Sequence, residues 1–198
     1  MIVLGLTGSI GMGKTTIGGM FVDRGVPLIS ADEIVHNLYA GRAAPQIEEA
    51  FPGATTDGVV DRDALSRMVL GDDSAMKRLE AIVHPMVHEE RKKFVESARQ
   101  AGARLVILDI PLLFETGGDA SVDRVLVVTC EEAIQRRRVL ARPGMTEEKF
   151  EAIRSRQTPD AEKRRRADYV IDTSGTFADS ESQVDRVLAK ILAESTDG

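Results

Sequence analysis

The 198-residue chain is 42% hydrophobic and 29% charged, so its length suffices for one sizeable core and is short for two independent ones. Its formal net charge of −6 argues against a general binder of nucleic acid or of membrane surfaces, which presents a basic face to phosphates. We therefore expect one domain, no nucleic-acid partner and only local recognition of phosphate.

Cysteine usage and hydropathy favour a reducing, cytoplasmic setting. The single cysteine, Cys130, cannot form an internal disulfide, and Met1 leads into an apolar run without the charged segment of a signal peptide. The longest apolar stretch, residues 105–114, is far shorter than the roughly 20 residues of a membrane span. We expect no membrane segment and no obligate protein partner.

Short runs of valine, isoleucine and leucine recur along the chain without the polar alternation of half-exposed strands. They cover residues 2–6, 26–29, 104–108, 124–128 and 169–171. Runs of this kind suit strands buried on both faces, and segments with helical spacing lie between most of them. The pattern predicts an α/β fold with a five-stranded parallel sheet covered by helices.

The gap between the second and third strands is too long for one crossover. Its apolar spacing predicts helices over residues 33–39, 46–51, 63–70, 74–83 and 85–101, with a helix boundary at Pro85. The sequence therefore predicts a helical insertion in the α/β core.

A second helix-rich stretch, residues 131–167, is unusually rich in arginine for an acidic chain. Breaks are expected near Pro143 and Pro159, since proline suits the first turn of a new helix. The last helix, residues 180–193, has an apolar face typical of core packing, and residues 195–198 are predicted to be disordered.

The segment GSIGMGKT, residues 8–15, matches the phosphate-binding loop pattern and lies between a predicted strand and a predicted helix. Glycines let such a loop wrap tightly with its N–H groups inward, and the helix adds its positive dipole end. The expected ATP ligands from this segment and the residue after it are Gly8, Gly11, Met12, Gly13, Lys14, Thr15 and Thr16, with the Thr15 hydroxyl on Mg²⁺. The alternative is a plain glycine-rich turn.

Three other glycines, Gly5, Gly18 and Gly19, fall outside the motif and are expected to permit close packing of strand and helix.

The only asparagine is Asn37, so the guanine-reading sequence of regulatory GTPases is absent. Small size and the arginine-rich stretch instead favour a small-molecule kinase whose lid excludes water during transfer.

Two aspartates follow predicted strands, where ligands of doubly wound sheets bind. Asp32 comes shortly after the second strand and Asp109 ends the third. One aspartate of this kind orients the acceptor hydroxyl and takes its proton, and another helps to hold magnesium. For Asp32 an alternative remains, because Ser30 and Glu33 fit a helix capping box. For Asp109 the alternative is an ordinary strand-end residue before the turn at Pro111.

Several segments together resemble the dephospho-CoA kinase family. They are LTGSIGMGKTTI, LISADEIVHNLY, the His84-Pro85 pair, LDIPLLFE and the run from Gln135 to Arg142. The resemblance implies that ATP phosphorylates the ribose 3′-hydroxyl of dephospho-CoA, giving coenzyme A and ADP. It also implies one P-loop kinase domain in three parts: a nucleotide core (about 1–32, 103–130 and 167–198), a CoA-binding helical insertion (about 33–102) and a helical lid (about 131–166).

Residue by residue, the resemblance assigns a role to several side chains. Lys14, Asp32 and Arg142 are implied to be catalytic, with Asp32 as the base. Arg138 and Arg142 are implied to approach the ATP phosphates from the lid. Acceptor binding is assigned to Asp32, His84, Leu113, Phe114 and Glu115, and Mg²⁺ to Thr15 and Asp109, the latter directly or through water. By charge pattern alone, Arg136, Arg137 and residues 164–166 are expected to be solvated surface.

The chain departs from the family pattern at three positions. Ser30 replaces an aspartate, His88 replaces a frequent arginine for which Arg91 or Lys92 could substitute, and Thr173 stands where an asparagine lies beside the adenine. The last change predicts recognition of the base by backbone groups. Without the resemblance, His84 would be read as a helix-junction residue and Leu113 as core.

Two alternatives to this function stay open at this point. One is a kinase of the same fold acting on a different small metabolite. The other is a nucleotide-binding regulatory module without transfer activity, against which the lid arginines argue, since they have little purpose unless charge is shielded during transfer.

Overall fold

The computed structural model describes residues 1–194. The strands in that range are β1 (Ile2–Thr7), β2 (Leu28–Ser30), β3 (Thr55–Thr56), β4 (Val59–Val60), β5 (Leu105–Asp109), β6 (Arg124–Thr129) and β7 (Tyr169–Asp172). The α-helices are α1 (Lys14–Asp23), α2 (Ala31–Tyr39), α3 (Ala44–Ala50), α4 (Arg62–Val69), α5 (Asp73–Gln100), α6 (Glu132–Leu140), α7 (Glu147–Arg154), α8 (Asp160–Arg166) and α9 (Phe177–Glu194). The disorder predicted for residues 195–198 lies outside the described residues.

Five strands form one parallel sheet in the order β2-β5-β1-β6-β7, which confirms the predicted α/β fold. The central strand is β1, where Leu4 pairs with Ile107 of β5 and with Arg124 of β6. On the far side of β6, Val128 pairs with Ile171 of β7. The inner strands are covered on both faces, which is why their sequences are continuously aliphatic.

One compact unit contains residues 1–28 and, among the described residues, 98–194. Its core joins side chains of the sheet to those of α1 and α9. The fully buried members include Leu4, Leu6, Phe21, Ile107, Leu126, Val184 and Ile191. The predicted breaks at Pro143 and Pro159 are confirmed, since they separate α6, α7 and α8.

The second compact unit contains residues 29–97. Its amphipathic helices bury their apolar faces against one another in a separate hydrophobic cluster that includes Ile34, Leu38, Ile47, Phe51, Leu65 and Val83. The described residues thus hold two hydrophobic clusters, whereas the chain length predicts one sizeable core. The insertion is long enough for its helices to cover each other.

A small antiparallel hairpin of β3 and β4 was missed by the sequence analysis. Its two turn residues, Asp57 and Gly58, have φ of 53° and 77°, which is the left-handed backbone of a type I′ turn. The Asp-Gly pair was the available signal. It is weak here because each strand has only two residues.

The predicted helix boundary at Pro85 is wrong, because α5 runs unbroken for 28 residues with Pro85 inside it. Proline removes one backbone hydrogen bond, but the flanking Val83, Met86 and Val87 are buried in the cluster of residues 29–97. Burial of this face outweighs the local cost. No helix within residues 1–194, α5 included, is long and apolar enough to cross a membrane.

Candidate active site

The loop between β1 and α1 ends at Gly13, which caps the helix in a left-handed conformation with φ of 91°. The first amides of a helix have no partner inside the helix. Within the described residues no side chain caps this end of α1 either. Thr15 and Thr16 in the same turn are exposed. A helix start with open N–H groups is a site for an anion such as phosphate.

The motif glycines are required by packing behind the loop. A Cβ on Gly8 would lie 2.6 Å from the Val128 carbonyl oxygen of β6. A Cβ on Gly11, which has φ of 79°, would lie 2.4 Å from Cγ2 of Val139 in α6. Close approach to β6 and α6 therefore excludes side chains at both positions.

The packing expectation for the other glycines is partly confirmed. A Cβ on Gly5 would lie 3.1 Å from Leu113 and one on Gly18 would lie 3.0 Å from Leu28, so both allow close contact. The expectation is wrong for Gly19, where the Cβ position has no described atom within 4 Å apart from its chain neighbours and the nearby backbone of α1. Gly19 faces outward from α1 and is exposed.

Lys14 and Asp109 form an ion pair at the loop. Asp109 is the last residue of β5 and only 7% exposed, and the Lys14 side chain is 15% exposed. Each charge offsets part of the cost of burying the other. The structure thus brings together two residues that the sequence analysis placed in phosphate and metal binding.

A cleft of about 380 Å³ opens beside the loop. It is lined by Gly11, Gly13, Thr16, Arg138, Arg142, Thr173, Gly175, Thr176, Phe177 and Ser180. Arg138 donates to the Thr173 hydroxyl at 2.8 Å and to its carbonyl at 2.9 Å, and that hydroxyl donates to the Met12 carbonyl at 2.8 Å. Both arginines expected from the resemblance therefore line the same cleft as the loop glycines.

The three residues expected to receive the acceptor lie between β5 and the 3-10 helix at residues 118–121. Leu113 is fully buried and Phe114 is 7% exposed, and Arg166 stacks on the Phe114 ring with its guanidinium 4.3 Å from the centroid. Arg166 also pairs with Asp119. Arg166 is exposed, as the charge pattern predicts, and these two contacts hold it at the surface.

Glu115 is held by residues that the sequence analysis did not connect to it. Its Oε1 accepts from the Thr158 amide at 2.7 Å and lies 2.9 Å from Nζ of Lys163. Burial raises the pKa of Glu115, but the Lys163 ammonium and the Thr158 amide outweigh it and hold the pKa below its ordinary value. Lys163 is fully buried, which its place in a basic run gave no reason to expect.

Asp32 lies on the first turn of α2 and is exposed. The Ser30 hydroxyl caps this helix by accepting from the Asp32 amide at 3.2 Å, but among the described residues Glu33 makes no return bond to Ser30. The capping interpretation is therefore half confirmed. The cap uses the backbone of Asp32 and leaves its carboxylate unused.

The His84-Pro85 pair lies within α5, where His84 and His88 are both exposed. The alternative interpretation of His84 as a helix-junction residue is therefore wrong. Within residues 1–194 no side-chain hydrogen bond or ion pair assigns His84 a role.

Metal binding at this site fits the residue types present. Among residues 1–194 no group of three His, Cys, Asp or Glu side chains could hold a metal ion, so a dedicated protein cage is absent there. The Thr15 hydroxyl and the Asp109 carboxylate are hard oxygen donors of the kind that a nucleotide-bound divalent cation takes alongside water and phosphate.

Comparison with known proteins decides the family. The family model described as dephospho-CoA kinase matches residues 2–179. The chain belongs to the dephospho-CoA kinase family. A Brucella melitensis dephospho-CoA kinase is 57% identical over 188 residues, which cover 95% of this chain and 94% of that protein. One from Mesorhizobium japonicum is 56% identical and covers 98% of both chains.

Family membership confirms the resemblance and the predicted class of enzyme, an ATP-dependent kinase of coenzyme A synthesis. Kinases that use ATP generally require a divalent metal. A solved Thermus thermophilus protein superposes with a TM-score of 0.81 at 36% identity, covering 98% of this chain and 97% of its own. A shikimate kinase from Acinetobacter baumannii, at 18% identity and a TM-score of 0.56 over 98% of this chain and 94% of its own, shares the P-loop kinase fold.

Proposed function

We propose that this chain transfers the γ-phosphoryl group of ATP to the ribose 3′-hydroxyl of dephospho-CoA, giving coenzyme A and ADP in the cytoplasm. Family membership supports the reaction. The observation that supports the assignment of the site is that Arg138 and Arg142 line the same cleft as Gly11, Gly13 and Thr16, at the start of α1 where no side chain caps the helix among the described residues.

The loop and the arginines provide the positive charge that phosphoryl transfer requires. The N–H groups at the start of α1 bind the phosphates, and Lys14 neutralises developing charge on them. Lys14 is paired with Asp109, so phosphate binding must compete with that carboxylate. Arg138 and Arg142 add further positive charge at the phosphates. Both lie in residues 131–166, which act as the lid and exclude water.

Mg²⁺ is the proposed metal, held by the Thr15 hydroxyl and by Asp109 directly or through water. When bound with ATP it shields the phosphate oxygens and favours departure of ADP. Asp109 is well suited to this position because it is fixed at the end of β5 and is buried.

Asp32 is the proposed base for the acceptor. The 3′-oxygen attacks the γ-phosphorus, the bond from that phosphorus to the β,γ-bridging oxygen breaks, and the hydroxyl proton passes to the Asp32 carboxylate. A loose transition state needs this proton removed late, so orientation of the hydroxyl is the larger contribution. The exposed carboxylate, unused by the helix cap, supports this role.

Acceptor binding is proposed for about residues 33–102, the helical insertion, with His84 on the exposed face of α5. Leu113, Phe114 and Glu115 are proposed to shape the acceptor side of the nucleotide core. The burial of Leu113 means that it acts by supporting Phe114 and Glu115.

The reaction is tested by measuring ADP release from the purified protein with dephospho-CoA, adenosine, AMP or shikimate as the acceptor. We expect turnover that depends on ATP, Mg²⁺ and dephospho-CoA, with no added macromolecule. If another acceptor is preferred, the proposed substrate is wrong. If no acceptor stimulates ADP release while ATP still binds, the chain is a nucleotide-binding module.

Replacing Lys14 by alanine tests the phosphate site. We expect Lys14→Ala to abolish the rise in melting temperature that ATP produces, because the phosphates lose their main side-chain cation. Lys190→Ala is the control, since Lys190 is exposed on α9 and the rise should be retained. Unchanged stabilisation of Lys14→Ala by ATP would contradict the proposal.

Replacing Asp32 by asparagine tests the base. We expect Asp32→Asn to lower kcat by about 100-fold or more, with ATP binding unchanged. Glu33→Gln makes the same charge change at the neighbouring exposed position of α2 and should retain most of its activity. Equal losses in the two variants would show that Asp32 acts only through the charge at this helix end.

A further inference from the structure

Two glutamines hold the same residue of the phosphate-binding loop. Gln157 Oε1 accepts from the Ile10 amide at 3.1 Å, and Gln135 Nε2 donates to the Ile10 carbonyl at 2.8 Å. Because a backbone amide only donates and a carbonyl only accepts, these bonds fix which end of each side-chain amide faces the loop.

Ile10 lies between Gly8 and Gly11, where the backbone has the greatest conformational freedom. Its backbone carbonyl is bound by α6 and its backbone amide by the linker of residues 155–159. Fixing this one peptide reduces the number of loop conformations that phosphate must select. A preformed loop binds its ligand with a smaller loss of entropy.

Each glutamine is itself held by the core. Gln135 is 4% exposed on the face of α6 that contacts Gly11, where the Cβ position lies 3.2 Å from the Gln135 carbonyl oxygen. The linker that carries Gln157 is attached just beyond it, since the Thr158 amide donates to Glu115 at 2.7 Å. The Thr129 hydroxyl of β6 donates to Asp160 at 2.9 Å.

Both glutamines also line a cavity of about 750 Å³ bounded by the end of β6 and by α6, α7 and the linker. Because the oxygen and nitrogen of a side-chain amide are nearly the same size, close packing alone does not determine which of them faces the loop. The hydrogen bonds to Ile10 are therefore what orient them.

We propose that Gln135 and Gln157 are positioning residues that hold the phosphate-binding loop in its phosphate-receiving form by engaging the carbonyl and the amide of Ile10. They act through the loop and do not touch the reacting atoms. This inference rests on the proposed binding of ATP at the loop, and it does not depend on the identity of the acceptor.

The decisive comparison uses binding of inorganic tripolyphosphate, which engages the loop without base, acceptor or chemistry. Gln157→Glu keeps an acceptor for the Ile10 amide but adds a negative charge, whereas Gln157→Met is neutral and removes the acceptor. We expect Gln157→Met to weaken binding about tenfold, the size of effect of one lost hydrogen bond. Gln157→Glu should bind more tightly than Gln157→Met in about 0.15 M salt, where the added charge is screened.

The same substitution at Gln135 is expected to weaken tripolyphosphate binding, because glutamate cannot donate to the Ile10 carbonyl. In Gln135→Glu a carboxylate oxygen would face the Ile10 carbonyl, so this variant should bind tripolyphosphate about tenfold more weakly than Gln157→Glu. Gln46→Glu, on the exposed side of α3, should bind like the unaltered protein. In turnover, the loop variants should raise KM for ATP and leave KM for dephospho-CoA unchanged.

Three results would overturn the inference. The first is tighter binding of tripolyphosphate by Gln157→Met than by Gln157→Glu. The second is a loss of tripolyphosphate affinity in proportion to the fall in melting temperature of the ligand-free variants. The third is failure of the unaltered protein to bind tripolyphosphate. If Gln135→Glu does not fold, the two Gln157 variants decide alone. Normal tripolyphosphate binding without ADP release on dephospho-CoA would reject the proposed function and leave this inference standing.

Discussion

Lys163 is fully buried although it lies in a run of charged residues on α8. Its Nζ lies 2.9 Å from Glu115, and no hydrogen-bond partner in residues 1–194 satisfies the second oxygen of Glu115. Two buried charges of this kind depend on each other, because removing one leaves the other without compensation.

We expect Lys163→Met to lower the free energy of unfolding by about 3 kcal/mol, since it leaves a mostly buried carboxylate unpaired. The double variant Lys163→Met with Glu115→Gln should recover much of this loss, because glutamine carries no charge and still accepts from the Thr158 amide. Urea unfolding of both variants measures the difference. Losses that simply add across the two positions would show that the pair is not coupled.

The same pair predicts a pH dependence. The pKa of Glu115 is lowered in the folded protein, so its contribution is present above the ordinary carboxyl pKa of about 4.3 and is lost as the pH falls through the folded value. The difference in unfolding free energy between the unaltered protein and Lys163→Met should therefore be largest near neutral pH and shrink on acidification. A difference that grows towards acid pH would contradict this sign.

Among the elements, the glycines of the loop between β1 and α1 serve both phosphate binding and close packing against β6 and α6. Its glycines are usually explained by the approach of phosphate, yet at Gly8 and Gly11 the space is occupied by Val128 and Val139. The helix α1 places Gly19 on its outer side, where no described atom is near. Glycines in the same short segment therefore have opposite consequences when replaced.

Alanine substitution should separate the two kinds of glycine. We expect Gly11→Ala to destabilise the protein by about 2 to 4 kcal/mol, because φ is left-handed and Cβ would overlap Val139. Gly19→Ala should stabilise it by about 0.5 to 1 kcal/mol by favouring the helix. Urea unfolding curves compare the two, and a gain in stability from Gly11→Ala would refute the packing argument.

For the molecule as a whole, the main feature is that residues 1–194 contain two hydrophobic clusters. Residues 29–97 have their own buried side chains, and the α/β sheet has another set. Compact units with their own buried side chains can open locally, so local stability is expected to differ between the two.

Core truncations should reveal this separation. We expect Ile47→Ala, a fully buried position of residues 29–97, to cost about 2 to 5 kcal/mol and to speed amide hydrogen exchange mainly in α2 to α4. Leu126→Ala in β6 is the matched change in the other cluster and should instead expose the amides of β1, β5 and β6. Uniform acceleration across the chain in both variants would show that the molecule unfolds as one unit.

The sequence determined the sheet, the phosphate-binding loop and the family, because buried parallel strands and a loop that binds phosphate through its backbone each leave a local pattern of residue types. One predicted helix boundary was wrong. It was placed at Pro85 because proline destabilises a helix locally, but burial of Val83 and Met86 outweighed that cost. The Asp57-Gly58 hairpin left only a two-residue signal.

Tertiary structure alone decided which distant side chains meet. Gln135 and Gln157 converge on Ile10, Lys163 reaches Glu115, and Arg138 closes on Thr173. Residues so far apart along the chain carry no shared local pattern, since their chemistry is set by partners that only the fold supplies. The sequence therefore indicates which residue types a site contains, and the tertiary structure decides which partner each side chain binds.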